Sequence, residues 1–64
     1  MTNWVEYWDK DRELVRVIGS YVPVKGEFIK LKLKNNFKMR KVIDVVHKID
    51  KTDPIKEKFL VFLE

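Results

Sequence analysis

Glu27-Phe28-Ile29-Lys30-Leu31-Lys32-Leu33-Lys34 sets Ile29, Leu31 and Leu33 against Phe28, Lys30, Lys32 and Lys34 in strict alternation. That two-residue period marks a strand with one face buried and the other in water. Immediately after it, Asn35-Asn36 can take the left-handed backbone of a tight turn, so the chain is expected to reverse there. Immediately before it, Pro23-Val24-Lys25-Gly26 reads as a turn. Pro23 has no N–H to give a ladder and belongs at a sheet edge or strand end.

Working outward, Trp4-Val5-Glu6-Tyr7-Trp8 is a short β-type run, ended by the polar turn formers Asp9 to Glu13. Leu14 to Ile18 is a second run, which Gly19-Ser20 interrupts as a bulge or bend would before Tyr21-Val22 resume. Residues 37–50 support two readings. Met39, Val42, Val45, Val46 and Ile49 fall near helical spacing with Asn36 as an N-cap. With period two, Met39, Lys41, Ile43, Val45, His47 and Ile49 share one strand face. Five of the eight residues from Val42 to Ile49 are β-branched, and a strand here continues the hairpin begun at Lys34, so the strand is preferred. Lys51-Thr52-Asp53-Pro54 is a turn. Lys58 to Leu63 is apolar on both faces and is expected to be a central or closing strand. The expected fold is all-β, a small five-stranded SH3-like barrel with strands in meander order. The alternative is α+β, with residues 37–50 as a helix on a small antiparallel sheet.

Composition agrees. Nine Val, five Ile and eight aromatics stand against no Ala and no Gln, which favours sheet. Sixty-four residues make one small domain, too little for a deep enzyme cleft. The absence of Cys excludes a disulfide framework and thiolate metal sites and fits a reducing cytosol. The longest apolar run, Phe59 to Leu63, is far short of the ~20 residues that cross a bilayer as a helix. With no signal-peptide pattern at the start, the expected location is cytoplasmic, with no membrane partner.

Three segments also carry a resemblance. Pro23-Val24-Lys25-Gly26-Glu27-Phe28-Ile29-Lys30-Leu31, then Val42-Ile43-Asp44-Val45-Val46-His47, then Leu60-Val61-Phe62-Leu63, resemble a pattern in small uncharacterised proteins of bacteria and their phages. In those a Pro-x-x-Gly-Asp/Glu turn opens a strand, a Val-x-x-Val-x-His/Trp strand follows, and a short apolar strand closes a β-barrel. The resemblance implies the fold and assigns no activity or site.

Chemistry is sparse. One His, no Cys, Ser20 and Thr52 as the hydroxyls of note, and Gly19 and Gly26 seven apart assemble neither a catalytic triad nor a phosphate loop. No catalytic residue, metal or cofactor is expected. His47 is read as a rim residue packing its ring, and its spacing from Asp44, Asp50 and Asp53 matches no compact metal motif. Asp44 is read as solvated or paired with a lysine.

Charge is the strongest signal. The formal net charge is +4, yet residues 25–41 alone carry seven cations against Glu27, a local +6, and the flanking segments are each −1. Lys30, Lys32 and Lys34 share the Phe28 face, with Phe37, Lys38, Arg40 and Lys41 close behind the turn. Cations that neutralise phosphates beside rings that stack bases make a low-specificity site for DNA or RNA. Lysines on an edge strand also guard against aggregation. Lys outnumbers Arg eleven to three, so bidentate base reading is not expected. Trp4 and Trp8, on one strand face with Glu6, are either protein-contact anchors or lids whose N–H groups find partners. Two functions follow: a non-catalytic nucleic-acid binder, or a phage- or prophage-type accessory protein contacting a host or virion protein, in either case a monomer or weak homodimer.

Overall fold

The computed structural model describes residues 2–64. Five strands, β1 (Asn3–Asp9), β2 (Arg12–Gly19), β3 (Phe28–Leu33), β4 (Asn36–Ile49) and β5 (Glu57–Leu63), join in one sheet, with no helix among the described residues. The sheet curls strongly into a half barrel, in keeping with a small SH3-like barrel. The helical alternative for residues 37–50 gives way to β4, one strand of 14 residues.

The strand order is β2-β1-β5-β4-β3. β5 is central, as its two apolar faces require. The meander order is corrected: β3, β4 and β5 follow it, but β1 lies parallel to β5, from Val5 opposite Phe59 to Trp8 opposite Phe62. β5 is paired along both edges, with β4 on one and β1 of the β1–β2 hairpin on the other, and the curl of the sheet covers its inner face. Val5, Val42, Val61 and Leu63 are fully buried, and Tyr7, Leu14, Val22, Ile29, Leu31, Val45 and Phe59 pack around them. The expected inward side chain of Leu33 lies outside the described set.

The bulge expected at Gly19-Ser20 is instead the end of β2, and Tyr21-Val22 do not rejoin the sheet. Bulges occur where a buried residue has to be re-aimed. In β4, Val42 opposes Leu63 but Asp44 opposes Phe62, which leaves Ile43 as the extra residue. The bulge reverses the strand's parity, so Val42 and Val45 both face the core although three residues apart. That inward step of three is the spacing that imitated a helix. It also puts Met39 and Lys41 on the face opposite Val45 and His47, correcting the single-face reading. Leu14 is the extra residue of a second bulge, where Tyr7 opposes Val15 and Trp8 opposes Glu13.

The reversal after β3 comes one residue earlier than expected, at Lys34-Asn35 with Asn36 already opening β4, and its left-handed residue is Lys34 and not an asparagine. Lys34 takes φ 58° at the tip, and Lys10 takes φ 56° in the β1–β2 turn. The turn before β3 runs one residue later than expected, with the Glu27 N–H donating to the Val24 carbonyl at 3.1 Å and Gly26 at φ 95°. A left-handed L-residue costs roughly 1–2 kcal/mol, of which glycine gives back part as chain entropy. Lys10→Gly is therefore expected to raise stability by about 0.5–1 kcal/mol, read as a higher urea midpoint. An unchanged midpoint would count against strain at that turn.

Candidate nucleic-acid interface

β4 is twice as long as β5, and the excess pairs only with β3. Residues Val42 to Ile49 lie along β5, whereas Asn36 to Lys41 pair with Leu33 to Phe28, making a two-stranded arm. The arm has two unlike faces. Ile29 and Leu31 pack toward the core. Their cross-strand partners Arg40 and Lys38 share that inner face. The outer face carries the pairs Phe28 with Lys41, Lys30 with Met39, and Lys32 with Phe37.

On the outer face Phe28, Phe37 and Met39 are 62%, 58% and 60% exposed. Apolar side chains this open, set between three lysines, form an amphipathic surface. The Lys30 and Lys32 ammonium groups stand 4.8 and 5.2 Å from the Phe37 ring centre. Both ammonium groups thus lie over one aromatic ring as cation–π contacts, and a base stacking on Phe37 takes their place on the ring face while they turn to neighbouring phosphates. Among the described residues, Arg40 alone of the arm's cations is in a salt bridge.

The expected site residues therefore divide. Phe28, Lys30, Lys32, Phe37 and Lys41 come together. Lys34 leaves the Phe28 face because its left-handed backbone belongs to the turn, and with Lys38, Arg40, Leu31 and Asn36 it lines a cleft on the other side. Arg40 is structural: Nη2 lies 3.1 Å from the Asp9 carboxylate and Nε donates to the Glu64 carbonyl at 2.9 Å. It ties the arm to the end of β1.

Trp4 and Trp8 are half-buried, and both donate their indole N–H to Glu6, at 3.0 and 3.1 Å. Lys58 adds a third donor at 3.1 Å. Glu6 is only 4% exposed. Burial pushes its carboxyl pKa up, but the hydrogen bonds from Trp4, Lys58 and Trp8 outweigh this and hold it below its ordinary value. The Arg16 guanidinium covers the Trp4 ring at 5.1 Å, and Trp8 leans on Phe62. Glu6 had no assigned role in the sequence reading. Its signal was the Trp-x-Glu-x-Trp spacing, which on a strand puts one acceptor between two rings that each need one.

His47 stacks on Phe59 with ring centres 4.4 Å apart, and its Nε2 lies 2.8 Å from Glu57, at the exposed rim. Asp44 is exposed and accepts the Val45 N–H. Among the described residues no three His, Asp or Glu side chains gather as a metal cluster.

No family model, no curated protein and no solved structure matches this chain.

Proposed function

We propose that this protein is a non-catalytic binding module that holds single-stranded DNA or RNA, without sequence preference, on the outer face of the β3–β4 arm. The carrying observation is the exposed Phe37 ring flanked by Lys30 and Lys32, with Phe28, Met39 and Lys41 continuing the same surface. Lysines act as point charges toward phosphates, and once they swing off the Phe37 ring to meet them the exposed ring stacks on any base, which matches low specificity. The local +6 also favours encounter with a polyanion.

The test is titration of labelled oligonucleotides at increasing salt. For a single strand, log affinity should fall against log salt with a slope of about −0.7 per phosphate contact, so three lysines give roughly −2. Pyrimidine and mixed sequences should bind alike. Absence of binding at low ionic strength would sink the proposal.

A second reading, contact with a host or virion protein, draws on the apolar rim around Trp4, where Ile18 is 65% exposed. The two tryptophans themselves have their N–H groups engaged by Glu6, so Ile18 is the better anchor to test. A partner held there should be lost in Ile18→Asp and should be little affected by salt.

A further inference from the structure

We propose that the inner side of the arm holds a second anion site, which takes a nucleoside 5′-monophosphate group. The cleft there has a volume of about 270 Å³ and is lined by Leu31, Lys34, Asn36, Lys38 and Arg40. It is separate from the outer face, because Leu31 and Lys38 oppose each other across the ribbon from Lys30, Lys32 and Phe37. The site does not depend on the outer-face proposal.

Three features select the ligand class. First, among the described residues the lining has three cations and no acid, and although Asp9 neutralises Arg40 from outside the lining, Lys34 and Lys38 are two like charges at one partly enclosed space that an anion would relieve. Asp9 and the Glu64 carbonyl already hold the Arg40 guanidinium in place, so Lys34 and Lys38 are the ammonium groups left to face a phosphate. Second, at about 270 Å³ the space exceeds what a bare phosphate fills. Third, most of the lining is carbon, including Leu31, and it carries one side-chain amide, Asn36, which both donates and accepts. Apolar lining, an amide suited to a base edge and two free ammonium groups match a nucleoside carrying a phosphate monoester. Such a group could come from a free nucleotide or from the 5′-phosphorylated end of a strand.

The test is a ¹H–¹⁵N titration of the full chain with adenosine 5′-monophosphate, adenosine, inorganic phosphate, and one oligonucleotide with either a 5′-phosphate or a 5′-hydroxyl. The monophosphate should shift the amides of Leu31, Lys34, Asn36 and Lys38 and bind about ten-fold more tightly than adenosine or phosphate alone. Lys38→Gln, an exposed position, should weaken it by about ten-fold while leaving the rest of the spectrum in place. Shifts with the free nucleotide assign that source. Shifts only with the 5′-phosphorylated oligonucleotide assign the strand end. The proposal is overturned if neither phosphorylated ligand moves these amides, if inorganic phosphate matches the nucleotide, or if Lys38→Gln binds as the wild type does. Lys30→Glu with Lys32→Glu separates the two sites, since it should remove outer-face binding while the nucleotide still shifts the cleft amides, with its affinity lowered only by the general loss of positive charge on the arm.

Discussion

Glu6→Ala is expected to lower the folding free energy by about 3 kcal/mol, because it removes the common acceptor of two indole N–H groups and an ammonium inside a nearly closed site. A chain of 64 residues has a total stability of roughly 3–10 kcal/mol at ordinary values per residue. One substitution on the non-core side of β1 should therefore unfold a substantial part of the population. Glu6→Gln should cost less, since its carbonyl still accepts, although its amide faces Lys58. The pH dependence follows from the same contacts. The folded-state pKa of Glu6 lies below the ordinary 4.5, so its stabilisation is complete above the unfolded value and fades as pH falls through the lower folded one. The Asp50 carboxyl is also held below its ordinary value, by the Thr52 hydroxyl and amide, and so contributes to acid sensitivity as well. The informative measurement is thus the difference between wild type and Glu6→Gln in urea unfolding from neutral to acid pH. That difference should shrink on acidification. A constant gap would mean that the carboxylate charge is not what the tryptophans and Lys58 stabilise.

Lys30→Glu combined with Lys32→Glu should reduce oligonucleotide affinity at least about 100-fold at low salt, since it removes two phosphate partners and installs two repelling charges. It takes the arm from +6 to +2. The matching control is Lys51→Glu with Lys56→Glu, which makes the same change in net charge on exposed residues of the β4–β5 connection. If binding is local to the arm, the control should retain most of the affinity. Equal losses in the two variants would show that net charge alone, and no particular face, draws the nucleic acid. Both pairs lie outside the core, so unchanged circular dichroism is expected and keeps the comparison clean.

The β3 alternation was readable because a strand with one wet face writes its period into the chain. β5 was readable as central because charge is missing from both its faces after Lys58. The β4 segment was ambiguous for a definite reason: the bulge at Ile43 inserts a step of three between Val42 and Val45, and a step of three is also helical. The parallel pairing of β1 with β5 was not readable, since it joins the two ends of the chain and no local pattern encodes such a distant partner.

The site divides in the same way. The local excess of positive charge belongs to residues 25–41 whatever they fold into, and so does the presence of Phe28 and Phe37 among it. Which cations share a surface was decided by the register of β3 against β4. That register put Phe37 opposite Lys32, turned Lys38 and Arg40 to the other side, and left Lys34 in the turn. Alternation fixes the two faces of a single strand, but only a partner strand determines which faces combine. The Glu6 cluster shows the same limit: the spacing on β1 brought the carboxylate and the two indoles to one side, and Lys58 reached them only because β5 lies next to β1.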